Sequence, residues 1–151
     1  MGAPENDASL KDITKLTDVF YIGGTKVGAL FGEAVVIPNK EIQKDFRYHM
    51  KQHGGLMAKG RLLGIQFKTL FEDSLYYDIS KQAVAYALCI KEAFAKCNVQ
   101  MLVDSPTNQQ FPILHKSQME KLAEKYSFTF WERIDENYSC VRFCISWAAK
   151  E

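Results

Sequence analysis

Asp18-Val19-Phe20-Tyr21-Ile22-Gly23-Gly24-Thr25-Lys26-Val27-Gly28-Ala29-Leu30-Phe31-Gly32-Glu33 joins two apolar runs through a glycine-rich turn that holds one lysine. Asp18 to Ile22 reads as a buried strand. Glu33 to Ile37 reads as a second, stopped by Pro38-Asn39. No other strand pattern lies nearby, and two strands alone rarely stand in water. The pair asks for a larger sheet.

The turn fits neither common nucleotide motif. A phosphate-binding loop has its lysine followed by Ser or Thr and then a helix. Here Thr25 precedes Lys26 and a strand follows. The dinucleotide fingerprint needs G-x-G-x-x-G leading into a helix, and Gly23, Gly24, Gly28 and Gly32 have other spacings. A lysine at a strand end, among residues without bulk, suits a different chemistry. Desolvation lowers an amine's pKa, and a neutral amine forms a Schiff base with the aldehyde of pyridoxal phosphate (PLP). Gly23 and Gly24 would let the backbone approach such a planar group, and Thr25 would offer a hydroxyl. An ordinary solvated lysine on a surface turn is the alternative.

Outward from this segment the chain changes character twice. At the front, Ser9 and Asp12 form a capping-box pattern, followed by a stripe of Leu10, Ile13 and Leu16. From Lys40 to Lys96 the sequence reads as helical. His53-Gly54-Gly55 and Asp73-Ser74 are its breaks, and Leu56, Leu63, Phe67 and Leu70 fall on one helical face. Residues 81–95 are apolar almost all round, which predicts a helix packed on more than one side.

The last third predicts a strand over Val99–Val103 and a short strand over Phe111–Leu114, with Pro112 at an edge or bulge. A helix capped by Ser117 and Glu120 follows, with Met119, Leu122, Ala123 and Tyr126 on one face. Strands over Phe128–Ile134 and Tyr138–Trp147 meet at an Asp135-Glu136-Asn137 turn. This order predicts a small antiparallel sheet covered by helices on one face.

Composition narrows the function classes. The 151 residues are 47% hydrophobic and 25% charged, ordinary for a soluble globular domain. Lys plus Arg number 19 and Asp plus Glu 18, a net charge of +1. That balance gives no footprint for nucleic acid. No apolar run reaches the length of a membrane span. Met1-Gly2 opens like a myristoylation signal, but Asn6 stands where Ser or Thr is needed. Cys89, Cys97, Cys140 and Cys144 form no C-x-x-C pair and read as buried free thiols of a cytoplasmic protein. They give no zinc-ligand spacing, and no metal site is expected. His49, His53 and His115 show no nucleophile or metal spacing. Tyr76, Tyr77 and Trp131 read as core or interface.

One arginine stands out. Strand periodicity puts Cys140, Arg142 and Cys144 on one face and Val141, Phe143 and Ile145 on the other. A buried Arg is costly unless paired. It either grips a substrate carboxylate with its guanidinium fork or pairs with Glu132 across an edge hairpin. Lys59 and Arg61, near a helix start, either reach a phosphate or are solvated helix charges.

The Asp18–Glu33 segment resembles the PLP-lysine segment of the low-specificity L-threonine aldolase and β-eliminating lyase family. The run Met57-Ala58-Lys59-Gly60-Arg61-Leu62-Leu63-Gly64-Ile65-Gln66-Phe67 and the ending Cys140-Val141-Arg142-Phe143-Cys144-Ile145-Ser146-Trp147 resemble it too. The resemblance implies a fold-type I PLP enzyme of the α/β class. Such an enzyme has a large domain with a mostly parallel seven-stranded sheet and a small C-terminal α/β domain with an antiparallel sheet.

Family members are more than twice this length, so the chain resembles only their C-terminal portion. On this reading residues 1–43 are the end of the large PLP-binding domain. Residues 44–97 are connecting helices, and residues 98–151 are the small domain. The resemblance implies that Lys26 carries PLP, with Thr25, Gly24, Lys59 and Arg61 as cofactor-binding candidates. It implies that Arg142 binds the substrate carboxylate. The implied activity is cleavage of β-hydroxy-α-amino acids, threonine giving glycine and acetaldehyde. The implied partners are an amino-acid substrate and either a second copy or the missing N-terminal half. The alternative is a truncated remnant without catalysis, acting as a dimerisation or binding module.

Overall fold

The structure is a computed structural model that describes residues 8–150. The Met1-Gly2 pattern and Asn6 lie outside the described residues. The chain divides into two compact units, the first running to Tyr76 and the second from Tyr77.

The first unit begins with α1 (Leu10–Leu16). Its capping box forms as the sequence predicts. The Asp12 amide donates to Ser9 Oγ at 3.3 Å and the Ser9 amide donates to Asp12 Oδ2 at 3.1 Å. The predicted stripe is corrected at Leu16, which is 84% exposed where α1 ends. Strands β1 (Phe20–Gly23) and β2 (Glu33–Val36) pair antiparallel, with Tyr21 opposite Val35 and Ile22 opposite Ala34. They are not the buried strands that their composition predicts. Ile22 is buried, but Tyr21 and Val35 are exposed. Composition reports what a strand can bury, and the described residues place nothing over that face.

Helices α2 (Lys40–Gln43), α3 (Phe46–Gln52) and α4 (Arg61–Phe71) follow. The break at His53–Gly55 stands where predicted, with Gly54 at a φ of 75°. Leu56 is corrected: it precedes α4 and is exposed. Leu63, Phe67 and Leu70 do share the inward face of α4, and Leu70 is buried. The break at Asp73-Ser74 is also present, with both residues at positive φ (50° and 64°). Beyond it runs α5 (Leu75–Lys96).

In the second unit α5 buries Ala83, Val84 and Ala87. It is not packed all round, because Ala85 and Cys89 are exposed. The predicted Val99–Val103 strand reduces to one bridge, Met101 with Pro112. Two backbone bonds hold this stretch, from the Leu102 amide to the Phe111 carbonyl and from the Ile113 amide to the Gln100 carbonyl, each 2.8 Å. Pro112 has no amide to donate. It separates β3 (Gln109–Gln110) from β4 (Ile113–His115).

Helix α6 (Lys116–Ala123) starts earlier than the Ser117 pattern predicts. Its cap is His115, whose Nδ1 accepts from the Ser117 amide at 3.3 Å while Gln118 Oε1 accepts from the His115 amide at 2.8 Å. Tyr126 falls beyond the helix and is exposed. Strands β5 (Thr129–Arg133) and β6 (Tyr138–Cys144) close the sheet. Strand β6 is central, with β3 and β4 on one side and β5 on the other, all antiparallel. One sheet face carries the core of Leu114, Val141 and Phe143, covered by Phe94 of α5 and by Met119 and Leu122 of α6. Phe143 sits between the Phe94 and Phe128 rings, 5.5 and 5.4 Å away. This is the small antiparallel sheet with helices on one face that the sequence predicts.

Candidate functional site

The lysine turn is built by α4. Thr25–Val27 form a single 3-10 turn ended by Gly28, whose φ of 97° suits glycine. Gln66 of α4 accepts from the Leu30 amide at 2.7 Å and donates to the Phe31 carbonyl at 3.3 Å. Phe67 lies against Gly24, where a Cβ would stand 3.0 Å from the ring and 2.6 Å from the Ala29 Cβ. Gly32, at a φ of 86°, has Leu63 in the space of its missing Cβ. The phenol of Tyr76 donates to the Gly23 carbonyl at 3.0 Å. Packing against α4 therefore accounts for glycine at 24 and 32. Gly23 is open, its nearest neighbour for a Cβ being Glu33 Oε1 at 4.0 Å.

Lys26 and Thr25 project from this turn and are exposed. Lys26 makes no hydrogen bond or ion pair among the described residues. The desolvated amine expected from the sequence is thus not produced by these residues; the described residues leave the lysine open to water. Lys59 lies in the turn before α4 and Arg61 is the first residue of that helix, both exposed. The turn unites Gly24, Thr25 and Lys26, and the α4 that packs on it begins with Arg61.

Arg142 belongs to the second unit. It lies on the sheet face opposite the aromatic core, on a central strand and not at an edge. The Glu132 pairing is corrected. A bulge between Phe130 and Glu132 sets Glu132 opposite Cys140, and Thr129 opposite Arg142. Arg142 instead rests on Trp131, its Cζ 5.4 Å from the ring centroid. Its Nη1 donates to Gln109 Oε1 at 3.4 Å. Its Nε is sealed from water with no acceptor, a state that costs about 1–3 kcal/mol. Burial, and next the Glu132 carboxylate, push the neighbouring Cys140 thiol up from its ordinary pKa.

The thiols are corrected as a group. All are free, but only Cys140 is buried, while Cys89 and Cys97 are exposed. Among the described residues no group of three or more His, Cys, Asp or Glu side chains is arranged to hold a metal ion. No helix among them is long and apolar enough to cross a membrane.

Sequence reasoning missed the supporting roles of Gln66 and Gln109; of the residues it read as core or interface, Tyr76 is buried, whereas Trp131 is 48% exposed and lies under Arg142. Gln66 carried a signal, a polar residue beside Leu63 and Phe67 on an inward helix face. Gln109 and Trp131 carried none, because a bulge and a broken strand set their neighbours.

No protein-family model matches the chain. A low-specificity L-threonine aldolase of Pseudomonas sp. (strain NCIMB 10558) is 30% identical over 135 residues, 89% of this chain and 38% of that protein. The enzyme of the same name from Pseudomonas aeruginosa is 30% identical over 131 residues, 86% of this chain and 37% of its own length. A threonine aldolase structure from Leishmania major superposes with a TM-score of 0.94 at 38% identity, covering 99% of this chain and 44% of that one. The chain thus spans under half the length of each relative. It matches the C-terminal part of a threonine aldolase in sequence and in fold, which bears out the resemblance and the fold class drawn from the sequence.

Proposed function

We propose that this chain, the counterpart of the C-terminal part of a threonine aldolase, supplies the cofactor lysine and the carboxylate-binding arginine of a PLP-dependent lyase. The substrates are β-hydroxy-α-amino acids, with threonine giving glycine and acetaldehyde. The observation that carries the reading is Lys26, an unpaired amine on a turn that α4 fixes through Gln66, Phe67 and Leu63. Its amine is within reach of an aldehyde cofactor, and on this reading the polypeptide that covers the turn supplies the desolvation.

The chain's residues fit only part of that cofactor's needs. Lys26 would hold the cofactor through its Nζ, and Thr25 would offer a hydroxyl nearby. Lys59 and Arg61 are exposed cations available to a phosphate. No carboxylate for the ring nitrogen and no stacking side chain is evident in the turn. When bound, PLP supplies an electron sink that weakens the bonds at the substrate's Cα. Arg142 would hold the substrate carboxylate by a charge-assisted, two-point contact, which fixes the orientation of the Cα–Cβ bond. Released from the cofactor, Lys26 would move protons during exchange of substrate and product.

We propose further that residues 1–43 complete a larger cofactor-binding domain, with residues 44–97 connecting it to a small domain, 98–151. The exposed Tyr21 and Val35 on β1 and β2 support a sheet face covered by another polypeptide, either the N-terminal half or a second copy. The exposed free thiols of Cys89 and Cys97 fit a reducing, cytoplasmic setting.

The test is an acetaldehyde assay with L-threonine and PLP. It compares the chain alone with the chain mixed with the N-terminal part of a homologous threonine aldolase. The reading expects little turnover alone, gain in the mixture, and loss of that gain in K26A. A co-purifying mixture with no K26-dependent turnover would overturn it in favour of a non-catalytic binding module.

A further inference from the structure

We infer that Trp131 and Gln109 are positioning residues for Arg142, holding its guanidinium so that Nη2 is the donor presented to a carboxylate. This rests on the reading of Arg142 as the carboxylate-binding residue. The arrangement lies wholly in the second unit. Cζ of Arg142 stands 5.4 Å over the Trp131 ring. Trp131 is itself held edge-on by Phe111, with centroids 5.1 Å apart and planes at 66°. Behind the guanidinium, Gln109 Oε1 takes Nη1.

The other two nitrogens differ in access. Nε has no acceptor and is sealed from water, whereas Nη2 makes no hydrogen bond among the described residues and is not sealed. A guanidinium offers a carboxylate either its end, Nη1 with Nη2, or its side, Nε with Nη2. Nη2 belongs to both edges and, with Nη1 tied to Gln109 and Nε sealed, is the open donor. The indole face supports the cation whether or not a carboxylate is present. Glu132 stands opposite Cys140 in the register and makes no ion pair with Arg142 among the described residues.

The experiment uses the full chain labelled with nitrogen-15, with the Arg142 Nε–H resonance assigned by its disappearance in R142K. Glycine and, separately, acetate are titrated at constant ionic strength. The expected result is a shift of the Arg142 signal, with glycine binding weakened about five- to tenfold in W131L. Q109A should weaken it about threefold, and W131F should retain most of the affinity. If glycine binds wild type, W131L and Q109A alike through Arg142, the positioning role is wrong and the carboxylate reading stands. If neither probe moves Arg142 in the wild type, the carboxylate reading fails and the positioning role fails with it. Should W131L not fold, Q109A against W131F makes the same decision.

Discussion

The ring of Phe67 on α4 stands against the bare Cα of Gly24, so that the Lys26 turn packs directly on the helix behind it. Gly24→Ala would force its new Cβ to within 2.6 Å of the Ala29 Cβ. We expect a loss of about 1–3 kcal/mol in denaturant unfolding. Gly23→Ala meets nothing nearer than 4.0 Å and should stay within about 0.5 kcal/mol of wild type. Equal effects at the two positions would contradict the packing account.

The thiols should react in order of exposure and thiolate character. Cys89 and Cys97 are exposed, whereas Cys140 is buried and its thiol is pushed up, first by burial and then by Glu132. Thiolate is the reactive form. Iodoacetamide at pH 8 with peptide mapping should label Cys89 and Cys97 early and Cys140 last. Early labelling of Cys140 in the folded chain would show that the second-unit sheet is not packed as described.

The β5–β6 hairpin should carry a pH dependence. Asp135 Oδ1 accepts from the Asn137 and Tyr138 amides, each at 2.7 Å. Those two bonds hold its carboxyl below the usual range, with smaller contributions from the Arg133 and His115 charges. A folded pKa below the unfolded one stabilises the hairpin above the unfolded pKa, and that stability is lost as pH falls through the folded value. Asp135→Ala should therefore be destabilised at pH 7, with the gap to wild type closing below about pH 4. A gap that stays constant from pH 7 to pH 3 would show that the charge is not what the turn uses.

Local patterns were legible where short-range chemistry decides them. The Ser9–Asp12 cap, the His53–Gly55 and Asp73-Ser74 breaks and the alternating faces of β6 all follow from neighbours a few residues apart. Misreadings came where a distant or unexpected group intervened. His115 supplies the acceptor that starts α6, which the Ser117 pattern could not announce. The strand expected over Phe111–Leu114 starts only at Ile113, and a further short strand, β3, precedes Pro112. Tyr21 and Val35 have the composition of buried residues, yet the described residues do not cover them. Lys26 and Arg142 were legible as candidates, since a lysine among glycines and an arginine on an apolar strand are both conspicuous. The supports of Arg142 were not, because Trp131 and Gln109 reach it through a bulge and a broken strand.

The most direct test of the account is a visible spectrum of the purified chain with PLP, followed by borohydride reduction and peptide mass mapping. The account predicts weak binding in isolation, with the trapped cofactor on Lys26 alone and no such label in K26R. Label spread over exposed lysines such as Lys40, Lys59 and Lys68 would contradict it, and would show that the turn between β1 and β2 holds no site for the cofactor.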